Sequence, residues 1–333
     1  MNEPPIIPPI SPPAQVFKDR HTGLILFGVL EILLGCFCGL MVPLMIWGQA
    51  MSARMTNAST NYRMMLPALV LYGALALAFI WLGVGSIRAR RWARALLLIF
   101  SWSWLLVGLC TFALLLVFLP RIIETGPAGG QQMPAAAKTA ALLFVSVFFS
   151  VIFLIIPGAM VLFYRSKQVK ATCEARNPVA GWTDACPLPV LAMSLWVGCG
   201  ALSMLLLPLA YNSVIPFFGV LISGLPGTVF ILVLAAVWGY AAWAAYRLNQ
   251  TGWWIAIATF GVLAVSNVIT FAQVDLMEMY RAMGYPEQQI EQIQRFNFLG
   301  NETMIWWSLA FLIPIFGCLI YVKKFFRPAR VKP

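Results

Sequence analysis

The sequence predicts an all-α fold, a polytopic transmembrane helical bundle with eight spans, and two observations support this prediction. The first is composition: of 333 residues, 61% are hydrophobic and 10% are charged, and the mean hydropathy is +0.86. Soluble globular domains carry about 25% charged residues. The second is the recurrence of apolar stretches of bilayer length along the chain. A multi-pass membrane protein is therefore expected.

Eight stretches are long enough to cross about 30 Å of hydrocarbon, which requires about 20 mostly apolar residues. They cover residues 23–48, 66–87, 93–119, 140–164, 188–211, 225–246, 253–272 and 303–322. The basic block from Arg88 to Arg94 separates the second and third spans and has to form a tight turn at one surface. Arg247 and Asn249 divide the sixth and seventh spans in the same way.

The distribution of basic residues predicts that both termini are cytoplasmic. When the loops of eight spans are assigned to alternate sides, sixteen Lys and Arg fall on the side of the termini and six on the other side. Cytoplasmic loops carry the excess of Lys and Arg in membrane proteins. The net charge of +11 is thus a topology signal. It indicates the lipid bilayer, and no nucleic acid, as the partner.

The spans divide the chain into two halves with short flanking segments. Paired prolines in PPIIPPISPP favour polyproline II over helix and predict a disordered N-terminal tail. Within the second half, residues 273–302 are expected to form an extracytoplasmic hairpin of two amphipathic helices, with Gly284 as the stop between them. The predicted units are the tail at 1–20, the first four-helix half at 21–165, a cytoplasmic linker loop at 166–187, the second half at 188–325 and a basic C-terminal tail at 326–333.

Matching positions predict a 4+4 internal duplication. Span two aligns with span six at a shift of 159 residues, and span four aligns with span eight at a shift of 157. The matching pairs include Pro67 with Pro226, Arg88 with Arg247, Pro157 with Pro314, and Tyr164 with Tyr321. Four spans return the chain to its starting side, so the repeats should be parallel, related by an axis along the membrane normal. The apolar 212–224 segment is expected to be a short interfacial loop, with a re-entrant hairpin as the alternative.

Glu31 is the one acidic residue well inside a predicted span, and Trp196 is its approximate repeat partner. A charge at the middle of a helix costs roughly 2.5 to 3.5 kcal/mol on insertion scales, so this carboxyl should face protein or water. Gly28, Gly35 and Gly39 lie near it at helical spacing and predict a close helix approach. Two interpretations stay open: a protonatable or cation-binding group on a pathway, and a protonated carboxyl hydrogen-bonded between helices.

Span seven carries a polar stripe. Steps of seven, four and three residues place four polar side chains on one helical face, and an asparagine lies beside them. These residues are Thr259, Ser266, Thr270 and Gln273, with Asn267 as the neighbour. The stripe suits a hydrophilic path, and it equally suits hydrogen bonds between helices.

No enzyme is predicted, because acids, bases and metal ligands do not cluster at one depth. His21 is the only histidine and lies about ten residues, roughly 15 Å along a helix, from Glu31. Seven cysteines without a CxxC pair cannot assemble a zinc site with it. No catalytic residue, cofactor or metal is therefore expected.

The linker is the most polar part of the chain between the halves. Its Cys173 and Cys186 should stay free thiols in a reducing cytoplasm, and Trp182 is expected to pack the loop against the bundle. The linker sequence VKATCEARNPVAGWTDACPLPVLA, with LISGLPGT and MGYPEQQIEQIQRF, resembles a family of uncharacterised bacterial multi-pass membrane proteins from about residue 140 onward. The resemblance implies a cell membrane location, the bacterial inner membrane. It brings no established activity and transfers no catalytic residue.

Two function classes follow. Glu31, the polar stripe, the duplication and helix-breaking prolines favour a channel or carrier for a small solute or ion. Those prolines are Pro43, Pro157, Pro208 and Pro314. The scarcity of charge inside the spans favours the alternative, a non-catalytic membrane scaffold or accessory subunit with a membrane or peripheral protein as partner. A mid-membrane cavity lined by Glu31 and the stripe would indicate transport, and a close-packed bundle would indicate a scaffold.

Overall fold

The computed structural model describes residues 18–56, 62–125, 134–295 and 300–326, and in these ranges the protein is an all-α bundle with one small β-hairpin. The predicted N-terminal tail up to residue 17 and the C-terminal tail from residue 327 lie outside the described residues. The helices are α1 His21–Thr56, α2 Tyr62–Ile87, α3 Arg91–Thr125, α4 Ala135–Ser150, α5 Ile156–Arg165, α6 Lys167–Arg176, α7 Leu188–Met204, α8 Leu207–Ala210, α9 Gly224–Tyr246, α10 Gln250–Gln273, α11 Leu276–Ala282, α12 Glu287–Arg295 and α13 Asn301–Val322.

Eight helical segments of the described chain are long and apolar enough to cross a membrane, which confirms the predicted eight-span bundle. The protein is an integral, multi-pass membrane protein. The segments are His21–Met51, Tyr62–Ile87, Arg91–Leu119, Ala136–Arg165, Leu188–Ala210, Gly224–Tyr246, Gln250–Gln273 and Asn301–Phe326. The orientation and the duplication stay predictions.

The helices pack in the same order in both halves. In the first half α1 lies along α2, and α3 packs against α5. In the second half α7 lies along α9, and α10 packs against α13. The α1–α2 contact is especially close, because a Cβ atom on Gly28 would lie 2.7 Å from the carbonyl oxygen of Gly83. Only glycine permits this approach of the two backbones.

Span four is a helix with an internal irregularity. Residues Val151–Ile155 form a π-helical segment between α4 and α5, and Pro157 follows it directly. Span five is also interrupted just before a proline. Two turn residues separate α7 from α8, and Pro208 is the second residue of α8. Pro43 and Pro314 instead lie inside continuous helices, so only two of the four prolines expected to break helices stand at an irregularity.

The segment expected to be a short interfacial loop contains a β-hairpin, and its depth in the membrane stays a prediction. Strand β1 Ile215–Phe217 pairs antiparallel with β2 Val220–Ile222. Phe218 (φ 48°) and Gly219 (φ 81°) form its tip. Two consecutive positive φ values are the backbone geometry of the tight turns that match the twist of paired strands.

The segment between α10 and α13 holds two short helices, α11 and α12, at the predicted place. Gly284 has a φ of 88° and follows the first of them, as expected of a helix stop. Asn301 fixes the segment to the bundle: its Nδ2 donates to the carbonyl oxygens of Phe271 (3.0 Å) and Val274 (2.7 Å), and its Oδ1 accepts from the Leu276 amide (3.1 Å). The side chain therefore joins the end of α10 to the start of α11.

Candidate functional site

Glu31 of α1 is buried against α2 and α5. Its side chain is 3% exposed, and its Oε1 accepts a hydrogen bond of 2.8 Å from the Tyr164 hydroxyl. Ser86 Oγ lies 3.0 Å from the Tyr164 oxygen and donates to the Leu24 carbonyl at 3.0 Å. Phe163, next to Tyr164, stacks on a phenylalanine of α1 and shields this polar group. We call Glu31, Tyr164 and Ser86 the carboxyl cluster.

The carboxyl cluster contains more oxygen–oxygen contacts of hydrogen-bond length than its hydroxyl groups have protons to donate. Three oxygen–oxygen contacts join Leu24, Ser86, Tyr164 and Glu31, whereas the two hydroxyl groups carry two protons. A proton on the carboxyl would supply the third. Glu31 Oε2 is also buried and has no hydrogen-bond partner among the described residues. The cluster can therefore hold one further proton, and the second carboxyl oxygen can accept one further donor.

Two of the three glycines predicted to allow a close helix approach lie tightly against α2. Gly35 approaches α2 as Gly28 does, since a Cβ on it would lie 2.9 Å from the Ala76 carbonyl oxygen. Gly39 has ordinary space, with the Ala76 Cβ at 3.6 Å. Gly83 on α2 is the partner that sequence reasoning missed. The LGVG stretch of span two contains it, and its small residues are the signal that could have found it.

The polar stripe of span seven holds the β-hairpin in place. Ser266 Oγ accepts from the Phe218 amide at 2.9 Å, and Thr270 Oγ1 accepts from the Gly219 amide at 3.1 Å. Gln273 lies against Gly219, where any larger residue would collide with its side-chain oxygen. Three members of the stripe thus surround the two-residue tip of the hairpin.

The remaining members of the stripe bond elsewhere. Thr259 Oγ1 donates to the Ile255 carbonyl of its own helix at 2.8 Å, and Asn267 Nδ2 donates to Ser308 Oγ of α13 at 2.9 Å. Among the described residues, no hydrogen bond links any part of the stripe to Glu31. The structure therefore does not bring the predicted pathway residues together: Glu31 belongs to the first half and the stripe to the second.

The linker folds against the bundle, although Trp182 is not the residue that anchors it. Trp182 is 45% exposed, and its neighbour Thr183 and Cys173 of α6 are buried instead. This exposure contradicts the prediction that Trp182 packs the loop against the bundle, although the Trp182 carbonyl accepts from the Tyr246 hydroxyl at 2.9 Å. Burial raises the pKa of the Cys173 thiol to about 11 and also raises that of Cys186. Burial thus disfavours the reactive thiolate form of both side chains.

Sequence reasoning found Glu31 and missed its partners. Tyr164 and Ser86 are almost completely buried, and neither stands out in an apolar span. Tyr164 did carry a signal, because it marks a matching position between spans four and eight. Across the described residues, no group of three His, Cys, Asp or Glu side chains is arranged to hold a metal ion.

Comparison with known proteins adds no relative. No protein-family model matches the chain, and neither a curated protein nor a solved structure matches it. The resemblance to bacterial multi-pass membrane proteins stays a prediction. The site is accordingly interpreted from its own geometry.

Proposed function

We propose that this protein is a non-catalytic membrane scaffold or accessory subunit. One observation carries the proposal: the polar residues expected to line a pathway are separated, and the stripe residues make packing bonds with the hairpin, with α13 and with their own helix. Glu31 joins three helices through the carboxyl cluster. Polar side chains used in this way fix the register of helices in lipid.

The proposal includes a membrane or peripheral protein partner and the bacterial inner membrane as location. The folded linker supports a contact on the cytoplasmic side, because its exposed surface is ordered by ion pairs. Arg91 contacts Asp184 at 3.3 Å, and Arg176 contacts Asp19 at 2.9 Å. A non-catalytic role is supported by the surroundings of Glu31, whose hydrogen-bond partner within the described residues is a tyrosine and not a second acid or a histidine.

Ion flux through the purified, full-length protein tests this function. The protein is reconstituted in liposomes, and proton, sodium and potassium uptake is driven by an imposed membrane potential. We expect wild type, Glu31→Gln and protein-free liposomes to show the same flux. Glu302→Gln, an exposed acid at the start of α13, is the matched control. Flux above the lipid background that is lost in Glu31→Gln and kept in Glu302→Gln would contradict the scaffold proposal.

A channel or carrier is the second candidate, and one observation favours it. Glu31 Oε2 is buried without a partner among the described residues, although a carboxyl used only for packing would be expected to satisfy both oxygens. A transported proton or cation would complete this site. The flux loss just described is the result this candidate predicts, so the same measurement separates the two functions.

A further inference from the structure

A second polar site lies at the predicted cytoplasmic end of the bundle, and none of its lining residues belongs to the carboxyl cluster. A cavity of about 360 Å³ opens between the first turn of α3, the end of α5, helix α6, the turn Trp182–Asp184 and the first residue of α7. Its volume falls in the range of small-molecule sites. The linker thus does more than connect the halves, because it closes one side of this cavity.

The cavity lining is basic, and its acids are already paired. Four basic and two acidic side chains contribute to it: Arg91, Arg94, Arg165, Lys170, Glu174 and Asp184. Arg91 contacts Asp184 at 3.3 Å and Glu174 at 3.8 Å, and Lys170 contacts Glu174 at 3.7 Å. The second Asp184 oxygen accepts from the Gly181 amide at 2.9 Å. The acids are therefore occupied, and positive charge remains.

Two buried polar atoms of the lining have no partner in the part of the chain that the structure describes. They are Arg94 Nε and Thr183 Oγ1. Thr183 is only 3% exposed. Arg165, at the rim, forms no ion pair with any described residue. A buried donor left without an acceptor costs about 1 to 3 kcal/mol, and more when it is charged. The two buried atoms therefore favour an acceptor that the described residues do not provide.

Two long helices also begin at residues that line this cavity. The 35-residue α3 begins at Arg91 and the 17-residue α7 begins at Leu188, and both residues line it. The helix dipole favours an anion at a helix N-terminus. In α7 this effect does not rest on free amides, because Pro189 has none and the Val190 and Leu191 amides donate to the Pro187 carbonyl. The helix ends, the unpaired Arg94 and Thr183 atoms and the net positive lining all favour the same class of ligand.

We propose that this cavity binds a phosphate group. Arg94 and Thr183 donate to its oxygens from the buried side, and Arg165 donates from the exposed side. Arginine and hydroxyl donors suit a phosphate, which presents several acceptor oxygens. The group belongs either to a free phosphate or phosphate ester or to the headgroup of an anionic phospholipid, since basic pockets between membrane helices on the cytoplasmic side bind such headgroups.

Thermal unfolding of the delipidated, full-length protein in neutral detergent tests the free-anion source. Inorganic phosphate is titrated against sodium chloride at equal ionic strength, so that general screening is matched. Nanodiscs of phosphatidylcholine with and without phosphatidylglycerol test the lipid source, and native mass spectrometry counts the phosphatidylglycerol that stays bound. Stabilisation by phosphate supports the free anion, and selective retention of phosphatidylglycerol supports the headgroup.

The variants decide whether the cavity is the site. Arg94→Gln and Thr183→Val should each weaken the effective ligand, Arg94→Gln by about tenfold, because one charge-assisted hydrogen bond is lost. Arg165→Gln, an exposed residue whose substitution leaves the core intact, should also weaken it and serves if the buried variants do not fold. Arg90→Gln, exposed and outside the cavity, should leave binding unchanged. Equal losses in Arg90→Gln and Arg94→Gln, or no effect of either probe on wild type, would overturn the proposal.

Discussion

The two halves of the bundle share a backbone arrangement and differ in their polar content. The turn after α2 and the turn after α9 are the same: Ala89 (φ 49°) and Leu248 (φ 58°) occupy the positive-φ position, 159 residues apart. The amides of Ala89 and Leu248 both donate at 2.8 Å to the carbonyl three residues before them. The next amides, of Arg90 and Asn249, both donate at 2.9 Å to the carbonyl five residues before them. This spacing equals that of the predicted duplication.

The small residues at these turns are exchanged between the halves. In the first half the glycine is Gly85 and its close neighbour is Ala93. At the same shift of 159, the second half has Ala244 facing Gly252. Each half therefore keeps one glycine at the place where the two helices come closest. The contact requires a glycine in place of an alanine on one of the two helices, and either helix can carry it.

The carboxyl cluster has no counterpart in the second half. Four of the five buried positions of α1 coincide with buried positions of α7 at a shift of 166, which aligns Glu31 with Val197, 3% exposed, rather than with Trp196. Trp196 is 55% exposed and its indole donates to Ser103 at 2.7 Å. The Tyr164 counterpart, Tyr321, is 54% exposed. The second half packs an apolar residue, Val197, at the position that aligns with Glu31, so this packing does not require a buried carboxyl.

Val197→Glu should give the largest effect, because it places a carboxyl in the half that has no partner for it. Val197 belongs to an apolar cluster with Trp238 and Ala241. A carboxyl at mid-span costs about 2.5 to 3.5 kcal/mol, and thermal unfolding in detergent should show a loss of this size. Val197→Leu separates size from charge and should cost much less. An unaffected Val197→Glu would mean that the second half also contains a polar site.

Tyr164→Phe should have the next largest effect. Removing the hydroxyl leaves Glu31 Oε1 and Ser86 Oγ without their shared partner, at a cost of about 1 to 3 kcal/mol in the free energy of unfolding. Tyr321→Phe, the matched change in the second half, should be neutral, since Tyr321 is exposed. Equal unfolding midpoints for the two variants would show that the carboxyl cluster contributes nothing to packing.

Gly85→Ala tests the exchange of small residues and should have the smallest effect. Its new Cβ would lie 2.6 Å from the Ala93 Cβ, so the variant should lose about 1 kcal/mol from overpacking. Adding Ala93→Gly recreates the arrangement of the second half and should restore part of that loss. A double-mutant cycle measures this coupling. Strictly additive effects would argue against equivalent turns in the two halves.

Hydropathy predicted the spans because crossing lipid imposes a length and a composition on every helix. Glu31 could be predicted as a buried residue for the same reason, since a charge in lipid is costly. The β-hairpin could not be predicted, because its tip is Phe218–Gly219 rather than an Asn-Gly pair and its strands are as apolar as the spans around it. The cavity at Arg94 and Thr183 depends on contacts between segments distant in sequence, which local patterns do not report.

The π-helical segment sets the rotational phase of span four. A π-turn accommodates one residue more than the α-helix it interrupts, and each residue of an α-helix advances the side-chain direction by about 100°. Phe144 and Phe148, before the segment, are exposed to the exterior, whereas Tyr164, after it, is fully buried. If the same residues formed a regular α-helix, Tyr164 would turn by about 100° away from α1, and Glu31 would lose its donor with its own neighbourhood unchanged. Loss of one residue between 151 and 155 would instead remove the irregularity and keep Tyr164 directed at α1. The chemistry of the first half thus depends on a count of residues as well as on their identities.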